Sequence, residues 1–287
     1  MSTRSGRLAP AVAWFAACLF GLTLAGAPQL PFEPAHDSGQ SITGAFEGWF
    51  TNPDGSVRIL VGYYNRNLKQ ELDIPPGPNN RVEPGGPDQG QPTHFLAGRQ
   101  WGIFTITPPK DLGEKRLTWT LVANGQTTVI PLNLNPLWEL SPFVDANGNT
   151  PPFIGFAETG PFVNGPGGQS IAMNATVPEP LPLTIWVADD AHPPTAGPVP
   201  RIVPVTVAWS KFRGPGSVKF ANDRPRVEKA EFQAPPPAKF SGKASTTATF
   251  SEPGEYILRV VANDWSGEGG RGFQCCWSNA QVKVSVK

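Results

Sequence analysis

The run ASTTATF (244–250), the tetrapeptide Ser251-Glu252-Pro253-Gly254, and GEYILRVVAND (254–264) decide the fold. Both runs are rich in β-branched and aromatic residues and show no 3.6-residue repeat. Pro253-Gly254 sets a tight turn, with a fixed φ at the first residue and a free one at the second. Further along, AQVKVSVK (280–287) alternates with period two. Upstream, PVTVAWSKFRGPGSVKF (204–220) reads as a strand, a Gly-Pro-Gly corner and another strand. QSIAMNATV (169–177) and PLPLTIWVADD (180–190) read as paired strands. Such spacing predicts a β-sandwich over 169–287.

The first half follows the same grammar. ITGAFEGWF (42–50) and SVRILVGYYN (56–65) flank the turn Asn52-Pro53-Asp54-Gly55. THFLAGRQWGIFTITP (93–108) and RLTWTLVANGQTTVIPL (116–132) also read as strands, and Asn124-Gly125 suits a type I′ hairpin turn. Residues 75–92 (PPGPNNRVEPGGPDQGQP) show no strand or helix signal and read as a functional or disordered loop. A second sandwich is expected over 42–135. Residues 136–168 hold Trp138, Phe143, Phe153, Phe156 and Phe162 among many Pro and Gly. So many large apolar groups predict a segment lying across one or both sandwiches and pinning them, with a flexible tether as the alternative. Composition agrees with an all-β chain of two immunoglobulin-like β-sandwich domains joined by a Pro/Gly-rich segment. The 34 Pro and 31 Gly are roughly twice the usual share and would interrupt long helices. Zero formal net charge excludes nucleic-acid binding by bulk charge, and 39% hydrophobic residues argue against wholesale disorder.

Arg4 and Arg7, the apolar run AVAWFAACLFGLTL (11–24) and Ala25-Gly26-Ala27 read as a signal peptide over 1–27, cleaved after Ala27. The apolar run is shorter than the ~20 residues that cross a bilayer. An exported, periplasmic or extracellular protein without a transmembrane segment in its mature form is expected, with 28–41 as an irregular entry arm. The mature chain then keeps two cysteines, the adjacent Cys275 and Cys276. Three states stay open for them: a vicinal disulfide closing a very small ring, two unpaired thiols on opposite faces of a strand, or an intermolecular bond.

The run Thr247–Val260 resembles the strand pair of PKD and related immunoglobulin-like modules, whose signature is a Pro-Gly turn followed by Tyr. Val205-Thr206-Val207-Ala208-Trp209 resembles their buried-Trp strand, and Gly214-Pro215-Gly216-Ser217-Val218 is similar to the corner of REJ and cadherin-like modules. The resemblance covers about 170–287. It implies a sandwich with Trp209 between the sheets, and it implies Ca²⁺ between domains. On physical grounds Tyr256 is expected to pack its ring inside and bond backbone at the corner, as a tyrosine corner does.

Chemistry is sparse. His36, His94 and His192 lack metal-ligand spacing and read as loop histidines; no G-x-S-x-G or phosphate loop is present. Asp189-Asp190 and Asn263-Asp264 end two strands. If those strands run alongside each other, Asp189, Asp190 and Asp264 could offer hard oxygen ligands to Ca²⁺, the only cofactor considered. The competing reading is turn chemistry, in which Asp and Asn bond nearby backbone. The loop DWSGEGGRGFQCCWS (264–278) carries Trp265, Phe273 and Trp277, which exposed together could stack on a sugar or peptide and buried would cap the domain. The sequence therefore predicts a non-enzymatic exported protein that binds a protein or carbohydrate of the cell envelope or exterior through sandwich loops. Its alternatives are a structural subunit of an envelope assembly and a thiol protein using Cys275–Cys276.

Overall fold

The computed structural model describes residues 36–109, 112, 116–193, 203–264 and 275–287. The predicted signal peptide, most of the entry arm, Trp265 and Phe273 lie outside these residues.

Eight strands occupy the first half: β1 (Ile42–Thr51), β2 (Val57–Asn65), β3 (Leu72–Asp73), β4 (Asn80–Glu83), β5 (His94–Phe95), β6 (Gly98–Ile106), β7 (Leu117–Ala123) and β8 (Gln126–Leu132). They form the sheets β1-β2-β6 and β4-β7-β8 and the short pair β3-β5. Between them lie Ile59, Val61, Tyr63, Phe95, Ile106 and Trp119, all buried. The Asn-Pro-Asp-Gly turn closes β1 on β2, with Thr51 opposite Val57. Asn124 and Gly125, both at positive φ, close β7 on β8, as a type I′ turn requires.

Residues 75–92 correct the sequence reading. They contain β4, paired with β7 from Asn80↔Leu121 to Glu83↔Thr118. The organising group is Asn80, fully buried. Its Nδ2 donates to the carbonyls of Ile74 and Pro92, both at 2.8 Å, and its Oδ1 accepts from Trp119 Nε1 at 3.0 Å. One amide thus replaces the apolar pattern that would have marked a strand.

The second half holds β9 (Phe153–Gly155), β10 (Gln169–Ala175), β11 (Leu181–Asp189), β12 (Thr206–Arg213), β13 (Val218–Phe220), β14 (Glu228–Lys229), β15 (Phe240–Phe250), β16 (Gly254–Asn263) and β17 (Trp277–Val286). One sheet runs β10-β17-β16-β12 and the facing sheet β13-β15-β11-β9, with β14 beside β15. Leu183, Ile185, Val187, Trp209, Leu258, Val260, Val282 and Val284 fill the space between, the even spacing expected when alternate residues face inward. β10 and β11 are not a pair, contrary to the sequence reading. β10 runs parallel to β17, while β11 lies in the opposite sheet between β15 and β9. The connection at 176–180 crosses the sandwich: Val177 N donates to Lys287 O and Glu179 N to Thr176 O.

Residues 136–168 touch both halves. A 3₁₀ turn, Pro136–Trp138, lies beside β1, where Trp138 meets Phe46 edge-on and Trp49 Nε1 donates to Asn135 O at 2.8 Å. Phe143 packs edge-on against Phe50. β9 then adds an edge strand to the second half. Ala35–Lys287 cluster as one unit.

Candidate functional site

Beyond the asparagine network around Asn80, buried polar groups gather at the two ends of the second sandwich and at the joint between the halves. At one end the Gly-Pro-Gly corner meets the Pro-Gly turn. Tyr256 is buried; its hydroxyl accepts from Gly216 N at 3.1 Å and donates to Glu252 O at 2.8 Å. This is the tyrosine corner expected from the sequence. Gly214 sits at φ +144, where a Cβ would fall 2.1 Å from the Tyr256 ring, so only glycine lets the ring lie there.

The other end gathers the predicted acids. β11 and β16 finish at the same pole, leaving Asp189 2%, Asp190 6% and Asp264 6% exposed. Asp190 accepts from Thr150 N at 3.0 Å and Thr150 Oγ1 at 2.8 Å through one oxygen, and from His192 N at 2.8 Å through the other. Asp264 accepts from Asn149 Nδ2 at 2.6 Å. Asp189 Oδ2 accepts from Ala191 N at 2.8 Å, while Asp189 Oδ1 and Asn149 Oδ1 are buried with no hydrogen-bond partner among the described residues. Burial first, then the Asp264 and Asp190 charges, push the Asp189 carboxyl up to about 7 against its Ala191 bond. Among the described residues no three His, Cys, Asp or Glu side chains are placed to hold a metal ion. The acids meet at one pole as the Ca²⁺ reading required; donors from Thr150 and His192 occupy both oxygens of Asp190, while one oxygen of Asp189 stays without a donor among the described residues.

Cys275 and Cys276 are joined by a disulfide. Both are buried, and their sulfurs lie 3.8 and 3.4 Å from the carbonyl oxygen of Asn149. Trp277 is 1% exposed and cannot meet a ligand in solvent. Its ring packs with Phe50 and Leu60 of the first half and Val261 of the second. It lies against Gly102, at φ +52, where a Cβ would come within 2.6 Å of the ring.

That ring belongs to the joint. Glu47 accepts from Arg99 at 2.7 Å and from Gly102 N at 2.8 Å, and burial still holds its carboxyl above the usual range. Across from it, Arg259 Nη2 donates to Asn279 Oδ1 at 2.7 Å and Gly102 O at 3.3 Å. Burial brings Arg259 down to about 10. Asn279 Nδ2 reaches Gly102 O at 2.9 Å and Pro166 O at 3.1 Å. Phe212, from β12, is buried in the core of the first half. Its neighbours extend the joint. Lys211 pairs with Asp73 at 2.9 Å, and Arg213 forks onto Asp88 at 2.8 and 2.9 Å and onto the Gln91 carbonyl. His94 bridges Asp73 and Glu71, each at 3.0 Å, and is part of β5 rather than a loop.

Sequence reasoning missed Asn149, Thr150, Glu47, Asn279 and Arg259. A signal existed for the last: an arginine inside YILRVVA, on the face opposite Leu258 and Val260, marks an outer face that something covers.

No family model and no curated protein matches the chain. Among solved structures it is similar to the D00-D0 domain of intimin, at 12% identity over 85% of this chain and 99% of that one, TM-score 0.25. Domains 4 and 5 of the S-layer protein SbsC match at 9% identity over 86% and 98%, TM-score 0.22. CfaE, the adhesive subunit of the CFA/I fimbria of enterotoxigenic Escherichia coli, matches at 9% identity over 90% and 81%, TM-score 0.24. Superpositions this shallow add nothing to the strand pairing, which by itself establishes an all-β architecture of sandwich type.

Proposed function

We propose that the chain is an exported, non-enzymatic structural subunit of a cell-envelope assembly, in which two sandwich modules act as one rigid body. The second module is of PKD-like, immunoglobulin-related type, and the partners are envelope proteins or carbohydrates. The observation that carries this reading is the joint. Phe212 of the second half completes the first core, Trp277 is sealed between the halves, and Arg259 is hydrogen-bonded across them. A protein that displayed loops on independent domains would have no need of a buried arginine there, since burying such a charge costs several kcal/mol. Burial of Trp277 also favours a scaffold over an aromatic binding loop. Among the described residues no helix is long and apolar enough to cross a membrane.

The test is fractionation after cross-linking of cells that express the chain with its own leader. Retention in large envelope complexes is the expected result. A processed protein found only as free soluble material overturns the reading.

The bonded Cys275–Cys276 pair favours a second reading, a thiol protein. It predicts disulfide exchange with a small dithiol in the native state, lost in Cys275→Ser. Burial of both sulfurs speaks for a clasp instead.

A further inference from the structure

β10 ends its sheet. It pairs with β17 in unbroken parallel register from Gln169↔Ala280 to Ala175↔Val286, and among the described residues no strand lies on its other side. Among the described residues, no backbone group of 169–174 has a partner beyond that ladder. Ser170, Ala172 and Asn174 are exposed, while Ile171 and Met173 are half-buried against the core.

Several other sheet ends are guarded. Trp209 N of β12 donates to Asp223 O of a covering loop. β13 and β9 are three residues long, and Ile154 of β9 is bridged to Val163. β8 carries Pro131. Sheets ordinarily protect open edges with charge, proline, bulges or short length. QSIAMNA (169–175) has none of these.

We propose that β10 pairs antiparallel with β10 of a second copy of this chain, about a two-fold axis through Ala172. The register follows from the residues. With Ala172 on the axis, Ile171 stands opposite Met173 and Ser170 opposite Asn174, each pair occurring twice. The apolar pairs continue the core side, the polar pairs the outer side, and no like charges meet. Two four-stranded sheets become one. This inference rests on the structural-subunit reading and names the contact through which copies join. An unrelated strand from another protein is the competing occupant.

Sedimentation of the purified, processed chain from ~1 to ~500 µM tests it. One strand pair buries less than a standard interface, so a dimer of micromolar strength is expected. Ala172→Lys places two ammonium groups beside the axis and is expected to abolish the dimer, with circular dichroism unchanged, and melting unchanged at concentrations where the wild type is monomeric, because Ala172 is exposed. Ala172→Cys brings two Cα atoms to about 4.5–5.5 Å, inside the disulfide range, and is expected to form a covalent dimer on mild oxidation. Ser170→Cys, which faces Asn174 and not itself, is expected not to. A monomer at every concentration, a dimer that survives Ala172→Lys, or equal cross-linking of both cysteine variants would overturn the pairing. Envelope retention of the wild-type chain is a separate readout: a wild-type chain that stays monomeric at every concentration yet fractionates with the envelope sinks this contact and leaves the subunit reading standing.

Discussion

The two ends of the second sandwich use buried polar groups in opposite ways. At the corner end one neutral hydroxyl makes two bonds, both to backbone near its own turn. At the acid end three carboxylates crowd together, and two acceptor oxygens are buried without a donor among the described residues. Neutral and satisfied groups hold a fold at any ordinary pH. Crowded acids make stability depend on protons, because each added charge is placed where water cannot screen it. The contrast sets four expectations.

The largest effect belongs to the acid end's apolar neighbour. Trp277→Ala empties the space among Phe50, Leu60 and Val261 and is expected to cost about 3–5 kcal/mol in denaturant unfolding. A loss under 1 kcal/mol would show that the halves are not packed through this ring.

Next comes Asp189. Its native carboxyl is raised to about 7, so the folded chain holds a proton that the unfolded chain releases near pH 4. Its contribution therefore falls as pH rises from about 4 to about 7 and is level above that. Asp189→Asn is expected to flatten this fall and to gain a few kcal/mol at pH 8, at most about 4. An unchanged slope of stability against pH would mean that Asp189 is ionised in the fold.

At the corner, Tyr256→Phe removes both bonds while keeping the ring. A loss of about 1–3 kcal/mol is expected, the same at pH 5 and pH 8. A pH-dependent loss would erase the distinction between the ends.

The smallest effect is that of a reductant. Adjacent cysteines close almost no loop, so the entropic gain from their bond is about 1 kcal/mol. Melting with and without dithiol should differ by a few degrees.

The corner end was legible in the residues because everything it needs is local: Pro253-Gly254, Tyr256 two positions on, and a glycine-rich partner turn. The acid end was half legible. That Asp189 and Asp264 share a pole follows from strand direction, but their donors do not. Thr150 reaches Asp190 across 40 residues and Asn149 reaches Asp264 across 115, and both come from a Pro/Gly-rich stretch with no periodicity to place it. β4 failed for a related reason: its key side chain is a buried asparagine, which strand patterning counts as surface. The β10–β11 misreading came from proximity in sequence, where a short connection crosses between sheets instead of turning back. Whether Trp277 faced solvent or capped the domain stayed open in the residues, because its cover, β1 and β2, lies some two hundred residues earlier.

Phe212 carries a consequence in time. Synthesis delivers the chain from its first residue onward, and the core around Trp119 lacks one wall until residue 212 has emerged. The leading half must wait, incompletely closed, for a ring that arrives eighty residues after its own last strand. Truncation before β12 should therefore leave a nascent half that chaperones hold and proteases degrade.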